Sequence, residues 1–342
     1  MYRTFLLGLV TVSALVGLAV SSTPVTANWG SAISMGPTLV LPDLACAGDS
    51  SGKAVCMARG TASTPLVNRF QNSGWSGWTA LPGTEVVTSS PSCAPGGAGT
   101  VLCAARGAKG DLIYTIFEGK KWTAPASAGG SIFSAPSCAR FSGKVICAAR
   151  GVGGNVIAAS HTSAGWSKFI AALSFTTITS PSCAADGTGS GICAGVSTAG
   201  TIIFSRLMGS SWGPTQNAGG GFNAPLSCIT YSTPSGVVCL GRGYDSGIYD
   251  TNLGGLFGTR GGVSNSAPSC AATAPTGNIF CAVIGTNNTI FINEFTPSPP
   301  TWSGWSSLGG AFIGDPNCIV TGPHAICSAV TVRNRGVSYI GQ

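Results

Sequence analysis

The sequence predicts an all-β fold: a seven-bladed β-propeller of four-stranded blades, with one disulfide per blade and an N-terminal strand that closes the last blade. Three observations predict it. Cysteine pairs recur at a regular period, each repeat holds four strand-like segments, and the two chain ends carry complementary parts of one unit.

Fourteen cysteines fall into seven pairs, Cys46/Cys56, Cys93/Cys103, Cys138/Cys147, Cys183/Cys193, Cys228/Cys239, Cys270/Cys281 and Cys318/Cys327. Pair members lie 9 to 11 residues apart, and successive first cysteines are separated by 47, 45, 45, 45, 42 and 48 residues. A period in the forties that spans a chain marks a repeat architecture. Structural zinc sites favour much closer cysteines with a second Cys or His pair beside them, and this chain has only two His, His161 and His324. The wider spacing suits two antiparallel strands joined by a hairpin, the cysteines facing each other across the ladder in a disulfide. No metal or other cofactor is expected.

The second observation is the content of each repeat. Across the chain, 51 Gly and 20 Pro punctuate short apolar stretches such as Val101 to Ala104, Leu112 to Phe117 and Ile202 to Phe204, a pattern of strands and turns. Helical periodicity is absent outside the N-terminus. From Pro136 one unit runs through a strand with Ser137-Cys138, a hairpin at 141–144, a strand Val145 to Arg150, a Gly-rich turn, a strand Val156 to His161 and a fourth strand opening at Trp166. Four short strands repeated radially describe a β-propeller.

The third is closure. After Cys327 the chain has residues for only two more strands, so the seventh unit lacks the Trp-bearing one. Asn28-Trp29-Gly30 supplies it: Trp29 lies 17 residues before Cys46, as Trp166 lies 17 before Cys183. Closing the ring in this way removes exposed sheet edges.

Ahead of that strand, Arg3, the apolar segment Phe5 to Val20 and the small-residue end Val25-Thr26-Ala27 read as a secretory signal peptide over residues 1–27. Residues 28–342 then form a single propeller domain. Export accounts for the evenly paired cysteines, which need an oxidising, extracellular compartment. Beyond residue 20 no apolar run approaches the ~18 residues of a spanning helix, so no stable membrane insertion is expected after signal removal.

Trp recurs at the start of the fourth strand as Trp29, Trp75, Trp122, Trp166, Trp212 and Trp302, in six of seven units. Such regularity reads as blade packing. Three residues later the chain varies, through Ala32, Trp78, Pro125, Phe169, Thr215, Phe257 and Trp305. A position the scaffold leaves open is a better candidate for function. Trp78 and Trp305 are therefore expected to expose an aromatic face that stacks on a sugar ring, with the indole N–H as donor. Arg59, Arg106, Arg150 and Arg242 follow the second cysteine in four of seven units. Their donor fork suits sugar hydroxyls or a carboxylate, and equally suits capping of neighbouring carbonyls.

The strings Trp75-Ser-Gly-Trp78-Thr-Ala-Leu-Pro-Gly83 and Trp302-Ser-Gly-Trp305-Ser-Ser-Leu-Gly-Gly310, with Arg106-Gly107 ahead of Asp111-Leu-Ile-Tyr114, resemble the repeats of the PLL-type seven-bladed β-propeller lectins. The resemblance implies binding of fucose and related, including O-methylated, sugars between adjacent blades, by Trp75, Trp78, Trp302, Trp305 and the four arginines. The chain departs from that pattern in its paired cysteines, and in carrying Thr79 or Ser306 where an acidic residue commonly follows the second Trp.

Catalysis is not expected. Ten carboxylate residues are scattered without a close pair of the glycosidase kind, and sialidase Ser-x-Asp-x-Gly-x-Thr-Trp boxes are absent. Neither His161, expected exposed at a strand end, nor His324 has a nucleophile motif beside it, and every Cys is assigned to a disulfide. Without Arg3, 16 basic residues stand against 10 acidic ones, a net +6, with Lys120-Lys121 the only adjacent basic pair. Nucleic acid is excluded as a partner by the lack of a basic run, whereas mild attraction to anionic glycans fits. The expected function is a secreted carbohydrate-binding protein acting multivalently on cell-surface or free glycans; the alternative is an extracellular protein-interaction or surface-structural propeller.

Overall fold

The computed structural model describes residues 27–48, 52–97, 99–186, 189–232, 235–273 and 277–341. Apart from Ala27, the expected signal peptide lies outside these residues. Seven antiparallel sheets follow one another as blades, and among the described residues every named element is a strand.

Blade three shows the plan: strands Ser137–Phe141, Lys144–Arg150 and Val156–Thr162, then an outer edge made of Gly165–Trp166 and Ile170–Leu173. The expected fourth strand is thus interrupted. Both pieces pair with the third strand, Trp166 opposite His161 and Ile170 opposite Ala158. At the break Ser167 donates its N–H to Ser160 O and accepts the Ser160 N–H on Oγ at 3.0 Å. A side chain therefore replaces a carbonyl of the ladder, which gives the hydroxyl residue after this outer Trp a structural reason. Thr123 and Ser303 repeat it, accepting from the N–H of Ile116 and Glu294.

All seven expected cysteine pairs are disulfides, each within one blade. Cys46–Cys56, Cys93–Cys103, Cys138–Cys147 and Cys183–Cys193 staple blades one to four. Cys228–Cys239, Cys270–Cys281 and Cys318–Cys327 staple blades five to seven. Each joins directly opposed residues of the first and second strands, with Cα atoms 3.9 to 4.1 Å apart. The two members of a pair are not equally placed. Cys56, Cys103, Cys147, Cys193, Cys239, Cys281 and Cys327 lie on the second strands and are fully buried, at 0 to 1% exposure. A second strand is flanked by ladders on both sides and covered by the neighbouring blades, so these sulfurs belong to the core. The cysteines are therefore staples of the scaffold.

The N-terminal strand Ile33–Leu39 pairs with Arg335–Gly341, and Trp29 bridges Gly341, so the ring closes as the chain ends imply. The innermost strands form a continuous circle in which Ala45–Gly48 of blade one meets both Ser92–Pro95 of blade two and Phe312–Thr321 of blade seven.

A hydrogen-bonded girdle holds that circle. The N–H of Cys138, Cys183, Cys228, Cys270 and Cys318 each donates to the Oγ of the serine before the first cysteine of the preceding blade, at 2.9 to 3.0 Å. Asn317 Oδ1 plays the serine's part toward Cys46 at 2.9 Å. Between blades one and two that position is Ala45. Carboxylates reinforce the same seam: Asp43 accepts from the Asp315 N–H and from Ser90 Oγ, and Asp315 accepts from the Ala267 N–H.

Candidate functional site

Each connector between blades bridges the start of the turn joining the second and third strands of the blade it enters, as Val87 does Gly107, Ile132 does Gly151 and Phe222 does Gly243. Connectors and these turns therefore share one face of the disc. On that face Phe169, Thr215, Phe257 and Trp305, all at this equivalent position, pack against the incoming connector, three of them on a glycine with positive φ. A Cβ on Gly262 (φ +72) would lie 2.9 Å from Trp305, and one on Gly130 (φ +85) would lie 2.8 Å from Phe169. Thr215 makes the polar version of this contact, accepting the Ser174 N–H at 3.1 Å.

Clefts open beside three of these contacts. Between blades five and six a cleft of about 230 Å³ is lined by Trp305, Phe291, Asn287, Thr286 and Val263. At the junction of blades four and five a cleft of about 410 Å³ is lined by Phe257, Tyr244, Tyr249 and Asp245. Blade four meets the connector from blade three at a cleft of about 370 Å³ lined by Phe175, Thr215, Gln216 and Asn217. Each joins an apolar wall to amide, hydroxyl or carboxylate groups.

Among the described residues Asp245 is the one carboxylate lining these clefts. Tyr249 Oη donates to its Oδ2 at 2.5 Å and the Gly247 N–H to its Oδ1 at 3.0 Å. These bonds, the Tyr249 one foremost, hold its pKa below the usual carboxylate value, and the Tyr249 phenol is raised in turn. The pair is an ionised acceptor beside an aromatic wall, suited to ligand hydroxyls. Sequence reasoning missed it because Tyr244, Asp245 and Tyr249 become one site only when the turn folds onto the third strand.

The expected residues separate in the structure. Trp305 is half-buried and lines its cleft, but its indole N–H is taken by the carbonyls of Arg260 and Gly261 at 3.0 and 3.1 Å. Trp78, expected to be exposed, is 7% exposed, with its Nε1 buried and unpartnered among the described residues. The closing strand causes this: Met35 packs in the same core as Trp78, and a Cβ on Gly336 would sit 3.2 Å from Trp78 Nε1. Trp75 and Trp302 are packing residues. The Trp75 N–H donates to Ser338 Oγ at 2.8 Å, and the Trp302 ring lies 5.3 Å from Phe295 and under Arg260 at 5.1 Å.

Three of the four arginines bind the connector entering the next blade: Arg106 Nε to Ile132 O at 2.7 Å, Arg150 Nη1 to Ile178 O at 2.8 Å and Arg242 Nη1 to Ser264 O at 3.4 Å. Arg59 Nε is buried without a partner among the described residues. His161 is half-buried rather than exposed, its ring 5.2 Å from Trp166 and 5.7 Å from Tyr114, and burial lowers its pKa. Among the described residues no group of three or more His, Cys, Asp or Glu could hold a metal ion.

No protein-family profile and no curated protein matches this chain. Solved structures do. The BP39L lectin from Burkholderia pseudomallei aligns with a TM-score of 0.74 at 12% identity over 89% of this chain and 96% of its own. A fucose-specific lectin from Aleuria aurantia aligns with a TM-score of 0.56 at 13% identity over 80% and 97%. A fungal alcohol oxidase solved with copper aligns with a TM-score of 0.61 at 12% identity over 93% of this chain and 76% of its own. One architecture thus carries unlike activities, and function has to be read from sites. At the level of fold the expected resemblance holds: this chain is a seven-bladed, disulfide-stapled β-propeller that shares its architecture with fucose-binding lectins.

Proposed function

We propose that the protein is a secreted lectin that binds glycans multivalently through the connector-face clefts and carries out no catalysis. The observation behind this reading is that clefts of the same kind recur at three consecutive blade junctions, each pairing an apolar or aromatic wall with hydrogen-bonding groups. That is the chemistry of pyranose recognition, where a ring's apolar face stacks and its hydroxyls find acceptors. The fold shared with fucose-binding lectins supports the reading and makes fucose the first sugar to try. Several weak sites on one rigid disc raise avidity on a dense glycan surface by orders of magnitude. Residues 1–27 as an export signal and residues 28–342 as the mature domain complete the proposal, which the seven disulfides support.

Isothermal titration of the oxidised protein with methyl fucoside and a panel of neutral monosaccharides tests it. Saturable binding that Tyr244→Ala and Trp305→Ala weaken is the expected result. If no sugar binds, and a partner protein is retained in the presence of free monosaccharides, the protein-interaction reading replaces it.

A further inference from the structure

A fourth cleft differs from the three above in position and chemistry. It lies between blades three and four toward the opposite end of the strands, beside the hairpin residue Lys144 and the turn residue Ser210, and has a volume of about 270 Å³. Its origin is legible in the third strands. The residue opposite the position after each second cysteine is Val67, Tyr114, Phe204, Asp250, Ile292 or Ser338 in six blades, and Ala158 in blade three. At two other junctions that position reaches the next blade's outer Trp. Ser338 accepts the Trp75 N–H, and Tyr114 packs edge-on against Trp166 at 5.3 Å. The Ala158 methyl can do neither, so a hollow remains in front of Trp212.

The lining of that hollow is selective. Lys144 reaches across it to donate one N–H to Gly209 O at 3.2 Å, which leaves its ammonium further donors. Lys168 stands exposed on the outer edge of blade three, Ser160 and Trp212 add polar atoms, and among the described residues no carboxylate lines the cleft. Two cations at the rim of a small, largely apolar cavity with an indole wall match a single ring that carries a negative charge.

We propose that this cleft is a second binding site, for a pyranose bearing an anionic substituent, independent of the neutral-sugar sites proposed above. A carboxylate and a sulfate would use the same two ammonium groups, and separate probes distinguish them.

The full oxidised protein is titrated with D-glucuronate, glucose 6-sulfate, methyl glucoside and inorganic sulfate, with thermal melts of every variant. Binding of one or both charged sugars, with neither methyl glucoside nor sulfate alone competing, is the expected result. Lys168→Gln should weaken it about tenfold, equivalent to about 1.4 kcal/mol. Ala158→Tyr, which installs the side chain blade two already carries, should abolish it. Trp305→Ala should leave it unchanged, so failure of the neutral-sugar reading and failure of this one are separable. Should Ala158→Tyr misfold, the Lys168→Gln result decides alone. Absence of charged-sugar binding, or binding untouched by Lys168→Gln, overturns the assignment.

Discussion

Trp29 donates its indole N–H to Glu294 Oε1 at 2.6 Å. The strand that closes blade seven is thereby clasped to the third strand of blade six, Ile290–Pro297, across the blade boundary. Glu294 is 7% exposed, so this bond is shielded from water, where an unpartnered group costs the most.

The clasp predicts that Glu294→Ala destabilises the protein by about 1–3 kcal/mol, the range for a buried donor left without its acceptor. Glu294→Gln, which keeps one acceptor oxygen, should lose less. Urea unfolding followed by tryptophan fluorescence checks the order; equal stability of all three proteins would show that closure does not use this contact.

The hydrogen-bonded girdle makes a paired prediction. Ser269→Ala should cost about 1 kcal/mol by orphaning the Cys318 N–H, while Ala45→Ser should restore the missing link to Cys93 and raise stability by up to about 1 kcal/mol. Opposite signs from two exchanges of the same atom are the diagnostic result, measured by denaturant midpoint at unchanged m-value.

Stability should also rise on mild acidification through Asp315. Burial first, and then the charge of Asp43, lift its pKa from 3.8 to about 6. A carboxyl raised on folding contributes stability that is fully present below the unfolded value and is lost as pH rises through about 6. Between pH 7.5 and pH 5 the gain should be about 1–1.5 kcal/mol. His161, lowered by burial, acts in the opposite direction, so the quantity to measure is the difference between parent and Asp315→Asn. A difference that stays flat with pH would contradict the assignment.

The two second-position tryptophans should behave differently. Trp78→Ala empties a buried site and should cost about 3–5 kcal/mol. Trp305→Ala should cost less, since its ring is half-buried beside an open cleft, and should weaken sugar binding. Thermal melts paired with titration separate them. Equal loss of stability in both would remove Trp305 from the candidate site.

Spacing along the chain was enough to settle the repeat, the blade count, the disulfide pairing and the closing strand. Cysteines 9 to 11 residues apart can face each other across one hairpin, and a Trp strand missing from one end and present at the other has one place to go. Exposure followed from packing between blades. Trp78 and Trp305 occupy equivalent positions in near-identical strings, yet the closing strand lays Met35 beside the first while blade five leaves a cleft beside the second. The arginines, too, were open to two uses until the blades met, when the carbonyls of Ile132, Ile178 and Ser264 came within reach of three of them. Spacing within a hairpin is a local property of the chain, whereas burial at a blade boundary depends on which residue the neighbouring blade presents, some 45 positions away.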